Sequence, residues 1–309
     1  MKFENTSVFN FDNALRGMRN PKNSWNNGDT RIYTYVNAIH PLSSFNPTKY
    51  QVCSYSGTDA ICVEIGPKDM KLAQTLIKSG PEHRKFLRQI FVSVDITAPL
   101  YFWKELDTYK VGTVANSTST MHKLTANPIT LDCFEIDDYE PKLTEEIETG
   151  LNENGEITTI NFCESLRQKY IETKDKKYWK ELIRWLPESW LQMRTVTLNY
   201  ENLLSICSKS QRRNHKLNEW SGKDNNKLNN FIKWARTLPY AQEFIFLDEK
   251  SEISESLLEI SMAFASCDLD LISRTLAPFN ISLKDENGYR NLYDIILDVN
   301  KAVDKKEKI

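Results

Sequence analysis

Gln89-Ile90-Phe91-Val92-Ser93-Val94-Asp95-Ile96-Thr97-Ala98-Pro99-Leu100-Tyr101-Phe102-Trp103-Lys104-Glu105-Leu106 is the stretch on which the fold turns. From Gln89 to Ile96, the apolar residues Ile90, Val92, Val94 and Ile96 alternate with Gln89, Phe91, Ser93 and Asp95. That is the period-two pattern of a strand with one strongly apolar face. The pattern then breaks. Thr97 suits a helix N-cap, and Pro99 suits a first turn, where the N–H it lacks has no partner to lose. A helix is expected from there towards Tyr109.

Upstream, Leu72, Ala73, Leu76 and Ile77 recur at helical spacing and predict a helix over 69–79, closed by Gly80-Pro81. Downstream, Val111-Gly112-Thr113-Val114-Ala115-Asn116-Ser117-Thr118-Ser119-Thr120 is small, hydroxyl-rich and uncharged. It offers hydrogen-bonding groups with little bulk, which suits close approach to a ligand, although a plain Ser/Thr loop reads the same way. Residues 135–160 are acidic and polar and read as an exposed insertion with Asn154-Gly155 as a turn. Asn161 to Glu164 fits a capping box for a helix reaching Arg184, which Leu186-Pro187 breaks. Further helices are expected near Asn199 and over 228–238, with a polar loop over 220–226. Two more are expected in the last sixty or so residues, around 257–261 and 292–303. The first 64 residues read as a solvated, aromatic-anchored arm holding one short helix near Phe11, with Arg16, Arg19 and Trp25 as ligand contacts in the alternative. Trp103, Trp185, Trp190 and Trp234 read as packing residues.

The bulk numbers narrow the function classes. With 309 residues, 40% hydrophobic and 27% charged, the chain is long enough for one large domain or two small ones. A net charge of -2 gives no basic face for duplex nucleic acid. The first residues lack the apolar run of a signal peptide, and no stretch approaches the ~18 apolar residues of a spanning helix. A cytoplasmic protein without membrane partners is the expectation. The six cysteines are scattered and none form a CxxC pair, so free thiols are expected; four histidines without an HxxxH pair support no metal site. Walker A, GxGxxG and GxSxG patterns are absent from the sequence.

The segment Glu82 to Met121 resembles the flavin-dependent thymidylate synthases. Glu82-His83 stands at the family's Gly-His, Arg88-Gln89 at its Glu-His, and Ile90 to Ile96 at its strand. Ala98 to Asp107 matches the following helix without a gap, and Thr108-Tyr109-Lys110 stands at the Arg-His-Arg signature. Thr113, Asn116 and Ser119 keep the small polar run behind it. A second stretch agrees: Leu186-Pro187, then Thr197-Leu198-Asn199-Tyr200-Glu201 at the family's Thr-x-Asn-x-Arg, then Arg212 or Arg213 near its later arginine.

The resemblance covers residues 65–246, leaving 1–64 as an extension and 247–309 as a C-terminal helical extension. It implies an α/β (α+β) fold, a small sheet with a helical body, and a homotetramer. It also implies FAD as cofactor and methyl or hydroxymethyl transfer to a pyrimidine deoxynucleotide such as dUMP. On that reading Lys110, Thr113, Asn116, Ser119, Arg212 and Arg213 line the substrate site, while His83, Tyr109 and Asn199 face the cofactor. No catalytic residue is assigned, because the chain departs from the family where the chemistry sits. Only one cation of the signature survives, as Lys110, and Gln89 replaces the Glu-His histidine. Glu201 puts a carboxylate where the family has an arginine. Two like charges ~4 Å apart repel by about 1 kcal/mol even in bulk water. An inactive nucleotide- or signalling-molecule-binding module, or a purely structural oligomeric protein, therefore stands beside the enzyme reading.

Overall fold

The computed structural model describes residues 1–35, 51–56, 59–136, 158–223, 229–249, 276, 284–285 and 288–289. The expected turn at Asn154-Gly155 and the helices expected at 257–261 and 292–303 lie outside them. Helices surround small antiparallel sheets, a mixed α+β architecture. The main sheet has four strands in the order β1-β5-β7-β6, namely β1 (Lys2–Phe9), β5 (Phe91–Pro99), β7 (Leu191–Asn199) and β6 (Val114–Ser117). A second sheet joins β2 (Arg31–Tyr35), β4 (Asp59–Glu64) and β3 (Gln51–Ser56). A short pair links Lys284–Asp285 with Gly288–Tyr289.

The alternation in β5 does what its sequence predicts. Val92, Val94, Ile96 and Ala98 are all buried, while Phe91, Ser93, Asp95 and Thr97 on the other face are half-buried. The strand is longer than expected. Thr97 caps no helix but pairs with Met193, and the ladder continues to Pro99 opposite Leu191. Helix α3 (Leu100–Leu106) therefore starts with Pro99 as its N-cap and ends before Tyr109. Trp103 locks this corner: its indole N–H is shared between the carbonyls of Ala98 and Gln192, each at 3.0 Å.

The solvated-arm reading fails for the first part of the chain. β1 pairs with β5 from Lys2 opposite Thr97 to Phe9 opposite Phe91, with an irregularity at Asn5, whose φ is 52°. Val8, Phe11, Ala14, Leu15 and Met18 then enter the main core through helix α1 (Phe11–Gly17). Arg19 is not a ligand contact. It is buried and paired with Asp69 at 2.6 Å. Trp25 is exposed and donates to Asn20, and Arg16 leans on Asn13.

Helix α2 (Pro67–Lys78) is fixed by this same junction. Its N-cap, Gly66, has no side chain to satisfy the first amides, and Asp29 does so instead, accepting from the N–H groups of Lys68 and Asp69 at 2.9 Å. A Cβ on Gly66 would lie 2.3 Å from the Asp29 Cγ, so only glycine admits the carboxylate.

The expected long helix from 161 to 184 is two helices, Thr159–Thr173 and Lys176–Trp185, broken at Lys174, whose φ is 57°. The capping box does not form. Glu164 instead takes Arg167, Gln168 and the amide of Ile129. These helices carry a separate small core of Leu124, Ile129, Phe134, Cys163, Leu166 and Leu182. Trp103 and Trp234 are buried as expected, but Trp185 is exposed. The helix expected over 228–238 is Phe231–Arg236, and Trp220 sits in a short helix, Asn218–Ser221, rather than a loop.

Burial alone would raise the Asp69 carboxyl, but hydrogen bonds from Thr30, the Asp29 amide and Arg19, with the Arg19 charge, hold it below the usual range. A depressed folded-state pKa contributes stability above the unfolded carboxylate range, and that stability is lost as pH falls through the folded value. Asp69→Ala leaves Arg19 buried and unpaired, so it should cost about 3–5 kcal/mol at pH 7. Denaturant titrations of both proteins should show that gap narrowing below pH 4; a gap independent of pH would contradict the assignment.

Candidate functional site

The hydroxyl-rich run is positioned by β7 and by the helix that follows it. β6 lies along β7, with Val114 opposite Thr197 and Asn116 opposite Thr195. Immediately after β7, the helix Tyr200–Ile206 begins with a reciprocal cap: the Asn199 side chain accepts from the Asn202 amide at 3.0 Å, and the Asn202 side chain accepts from the Asn199 amide at 3.2 Å. Asn202 also donates to the carbonyl of Val111 at 2.6 Å, tying the turn before β6 to the helix start. Gly112 makes this approach feasible. Its φ is +75°, and a Cβ there would stand 2.7 Å from the Asn199 amide nitrogen. Beside it, the buried hydroxyl oxygen of Thr113 has no hydrogen-bond partner. A buried polar atom left unmatched is uncommon in folded proteins.

The cationic side of the site is built from ion pairs within the chain. Arg212 donates to Glu105 at 2.5 Å and to the Tyr109 hydroxyl at 3.1 Å, and its guanidinium lies 4.8 Å from the centre of the Trp220 ring. His215 approaches the same Glu105 at 3.6 Å, and burial pushes its pKa down. Arg213 is more fully committed. It donates to the Cys207 carbonyl at 2.7 Å and bidentately to Asp248 at 2.8 and 3.0 Å, and it lies 3.0 Å from Glu249. Glu201 does not stand against an empty cleft, because Arg84 donates to both its oxygens at 3.1 Å.

Of the nine residues the sequence singles out, the structure groups six. Lys110, Thr113, Asn116 and Asn199 surround the turn and strand at the start of helix Tyr200–Ile206, and Tyr109 joins them to Arg212. Lys110 is exposed, and no ion pair engages it among the described residues. Ser119 follows β6 and is half-buried. Arg213 faces away, towards Asp248, and His83 is exposed in the turn after α2. Asn199 serves as a helix cap, which is also the plain structural role for it. Glu105, Gln211, His215 and Trp220 complete the cluster around Arg212; Glu105 lies in the helix expected after Pro99 and Trp220 opens the loop expected over 220–226, while Gln211 and His215 were assigned to no element from sequence.

Among the described residues, no cluster of three or more His, Cys, Asp or Glu side chains could hold a metal ion, and no helix is long and apolar enough to cross a membrane. The described cysteines, Cys53, Cys62, Cys133, Cys163 and Cys207, are free.

No protein-family model matches the chain, and a search among curated proteins finds no match. Among solved structures, the chain is similar to a crystal structure of flavin-dependent thymidylate synthase from Helicobacter pylori complexed with FAD and dUMP. The identity is 17%, over 80% of this chain and 99% of that one, with a TM-score of 0.49. A second crystal structure of thymidylate synthase from the same organism, also with FAD and dUMP, gives 16% identity over 80% and 98% of the two chains and the same TM-score of 0.49.

Asn199→Ala removes both the cap and the wall against which Gly112 sits. It should lower stability by about 1–2 kcal/mol and speed hydrogen exchange at the amides of residues 111–114. Exchange unchanged there would show that the turn holds without the helix start.

Proposed function

We propose that this chain is a divergent flavin-dependent thymidylate synthase-like protein that binds a pyrimidine nucleoside or nucleotide at the Tyr109–Ser119 turn and does not carry out flavin chemistry. One observation carries the reading: Arg212 and Arg213, near the expected position, and Arg84 beside Glu201 are all paired within the chain. Arg212 goes to Glu105, Arg213 to Asp248 and Glu249, and Arg84 to Glu201. A phosphate dianion is gripped most firmly by guanidinium donors aimed at it. Here those donors are spent, and a carboxylate stands beside each.

Grip must then come from hydrogen bonding. Thr113 holds a buried, unmatched hydroxyl, the exposed Asn116 lies on β6 with Ser119 just beyond its end, and Lys110 supplies a single exposed charge. Tyr109 offers a ring face, half-buried beside Arg212. This set suits the ring carbonyls and sugar hydroxyls of a pyrimidine nucleoside better than its phosphate. A flavin dinucleotide brings two phosphates, so these residues do not fit a phosphate-held FAD, and the reading assigns no electron transfer or methyl transfer to this chain. The homotetramer remains part of the proposal by resemblance alone.

Thermal unfolding with deoxyuridine, dUMP and FAD tests the reading. Deoxyuridine and dUMP should stabilise to within a few-fold of equal affinity, with a gain of about 2.7 kcal/mol at a hundred times Kd. Thr113→Val should remove most of that gain while the variant stays folded. Protein incubated with FAD and desalted should stay colourless. No shift with either deoxyuridine or dUMP would reject the site, and bound flavin, or a preference for dUMP above a hundredfold, would restore the enzymatic reading.

A further inference from the structure

A cavity of about 310 Å³ lies away from the Tyr109–Ser119 turn, between the end of α2, the Arg84 turn, the end of helix Tyr200–Ile206 and the segment from Ile245 to Asp248. Of the residues discussed above as a nucleoside site, only Arg213 reaches its wall, and that arginine is already spoken for. The nucleoside reading therefore leaves the cavity without an assigned role.

Its lining divides cleanly. Ile77, Leu204, Ile245 and Leu247 form an apolar body. Three of the four charged groups at the wall are balanced inside the protein. Arg84 holds Glu201, and Arg213 and Asp248 hold each other through two parallel hydrogen bonds. The fourth, Lys78, is different: it ends α2, is exposed, and has no ion pair among the described residues. Two of the last carbonyls of α2 are answered without the ammonium. The amide of Gly80 donates to Ile77, and Ser79 donates twice to the carbonyl of Thr75, through its amide and its hydroxyl. Ser208 adds one hydroxyl to the wall, 3.2 Å from that of Ser210.

We infer that this cleft binds a small organic monoanion with a compact apolar body, its head group at Lys78 and Ser208 and its body against Ile77, Leu204, Ile245 and Leu247. Charge selects the class. A cation is repelled by Lys78, and a neutral molecule gains nothing from the charge of that ammonium. A phosphate dianion meets one free cation with the Asp248 carboxylate close by. Size selects the body. The cavity sits at the lower end of the ~300–1,000 Å³ range of ligand pockets, which suits one or two fused rings rather than a dinucleotide.

The test uses the full chain with 1-naphthoate as probe, and 1-naphthalenemethanol, 1-naphthylmethylamine and inorganic phosphate as comparisons, read by calorimetry and ligand-observed NMR. The naphthoate should bind saturably and at least tenfold more tightly than the alcohol or amine, and phosphate should not compete with it. Lys78→Gln should reduce that preference to near parity. Leu204→Trp should fill the cavity and abolish binding; Ser208→Phe, at the rim, serves the same purpose if the tryptophan variant unfolds. None of these changes should alter the stabilisation by deoxyuridine, which separates this site from the first. Absent naphthoate binding, equal binding of the three probes, or binding unmoved in the folded variants would overturn the assignment.

Discussion

Everything in this fold hangs on the ladder between β5 and β7. It is continuous, from Phe91 opposite Asn199 to Pro99 opposite Leu191, and a helix starts at the residue after each strand. Antiparallel pairing puts those two helices at opposite ends of the ladder. One end carries Trp103, bonded to the carbonyls of both strands. The other carries the Asn199 and Asn202 cap against which the turn before β6 is held. A slip of one residue would turn Val92, Val94, Ile96 and Ala98 out of the core. It would also carry Asn199 away from Gly112. Burial thus fixes the register, and the register places the candidate site.

On this scaffold the cationic groups are used as structural ties. Arg213 joins the end of helix Tyr200–Ile206 to Asp248, Arg84 joins the turn after α2 to the start of that helix, and Arg212 joins α3 to the segment before Trp220. In each pair the guanidinium is largely shielded from water, and a shielded charge is costly once its partner is removed. A ligand phosphate would have to displace a carboxylate from an arginine and leave that carboxylate without its donor. Such an exchange offers little gain. Hydrogen-bonding groups with an unmet partner, such as the Thr113 hydroxyl, carry no such cost.

How much of this was legible in the sequence depended on where the signal lay. β5 was readable because its buried face is wholly aliphatic and its other, half-buried face is not. α2 was readable for the same reason at helical spacing. β7 was not, since Gln192 is buried, Met193 is exposed, and the run mixes threonine with Arg194. β1 was missed because only Val8 among its residues is buried, so the alternation that marks a strand never emerges. At the site, the resemblance picked out the turn from Tyr109 to Ser119 and Asn199, which it placed at the cofactor and which the structure uses as a helix cap. It did not reveal the partners of the arginines. Glu105 and Arg212 are 107 residues apart and Arg84 and Glu201 are 117 apart, and no local pattern encodes contacts at that range. Glu201 read from sequence as a repulsive charge, whereas its meaning came from Arg84.

The central claim is that the guanidinium groups of Arg84, Arg212 and Arg213 are bound inward and are unavailable to a ligand's phosphate. Side-chain NMR of 15N-arginine-labelled protein, titrated with dUMP, reads this directly. The account predicts that the Nε–H signals of these three residues are protected from exchange without ligand and keep their positions when dUMP is added, while the backbone amides around Thr113 shift. Movement of the arginine signals in step with dUMP occupancy would contradict it.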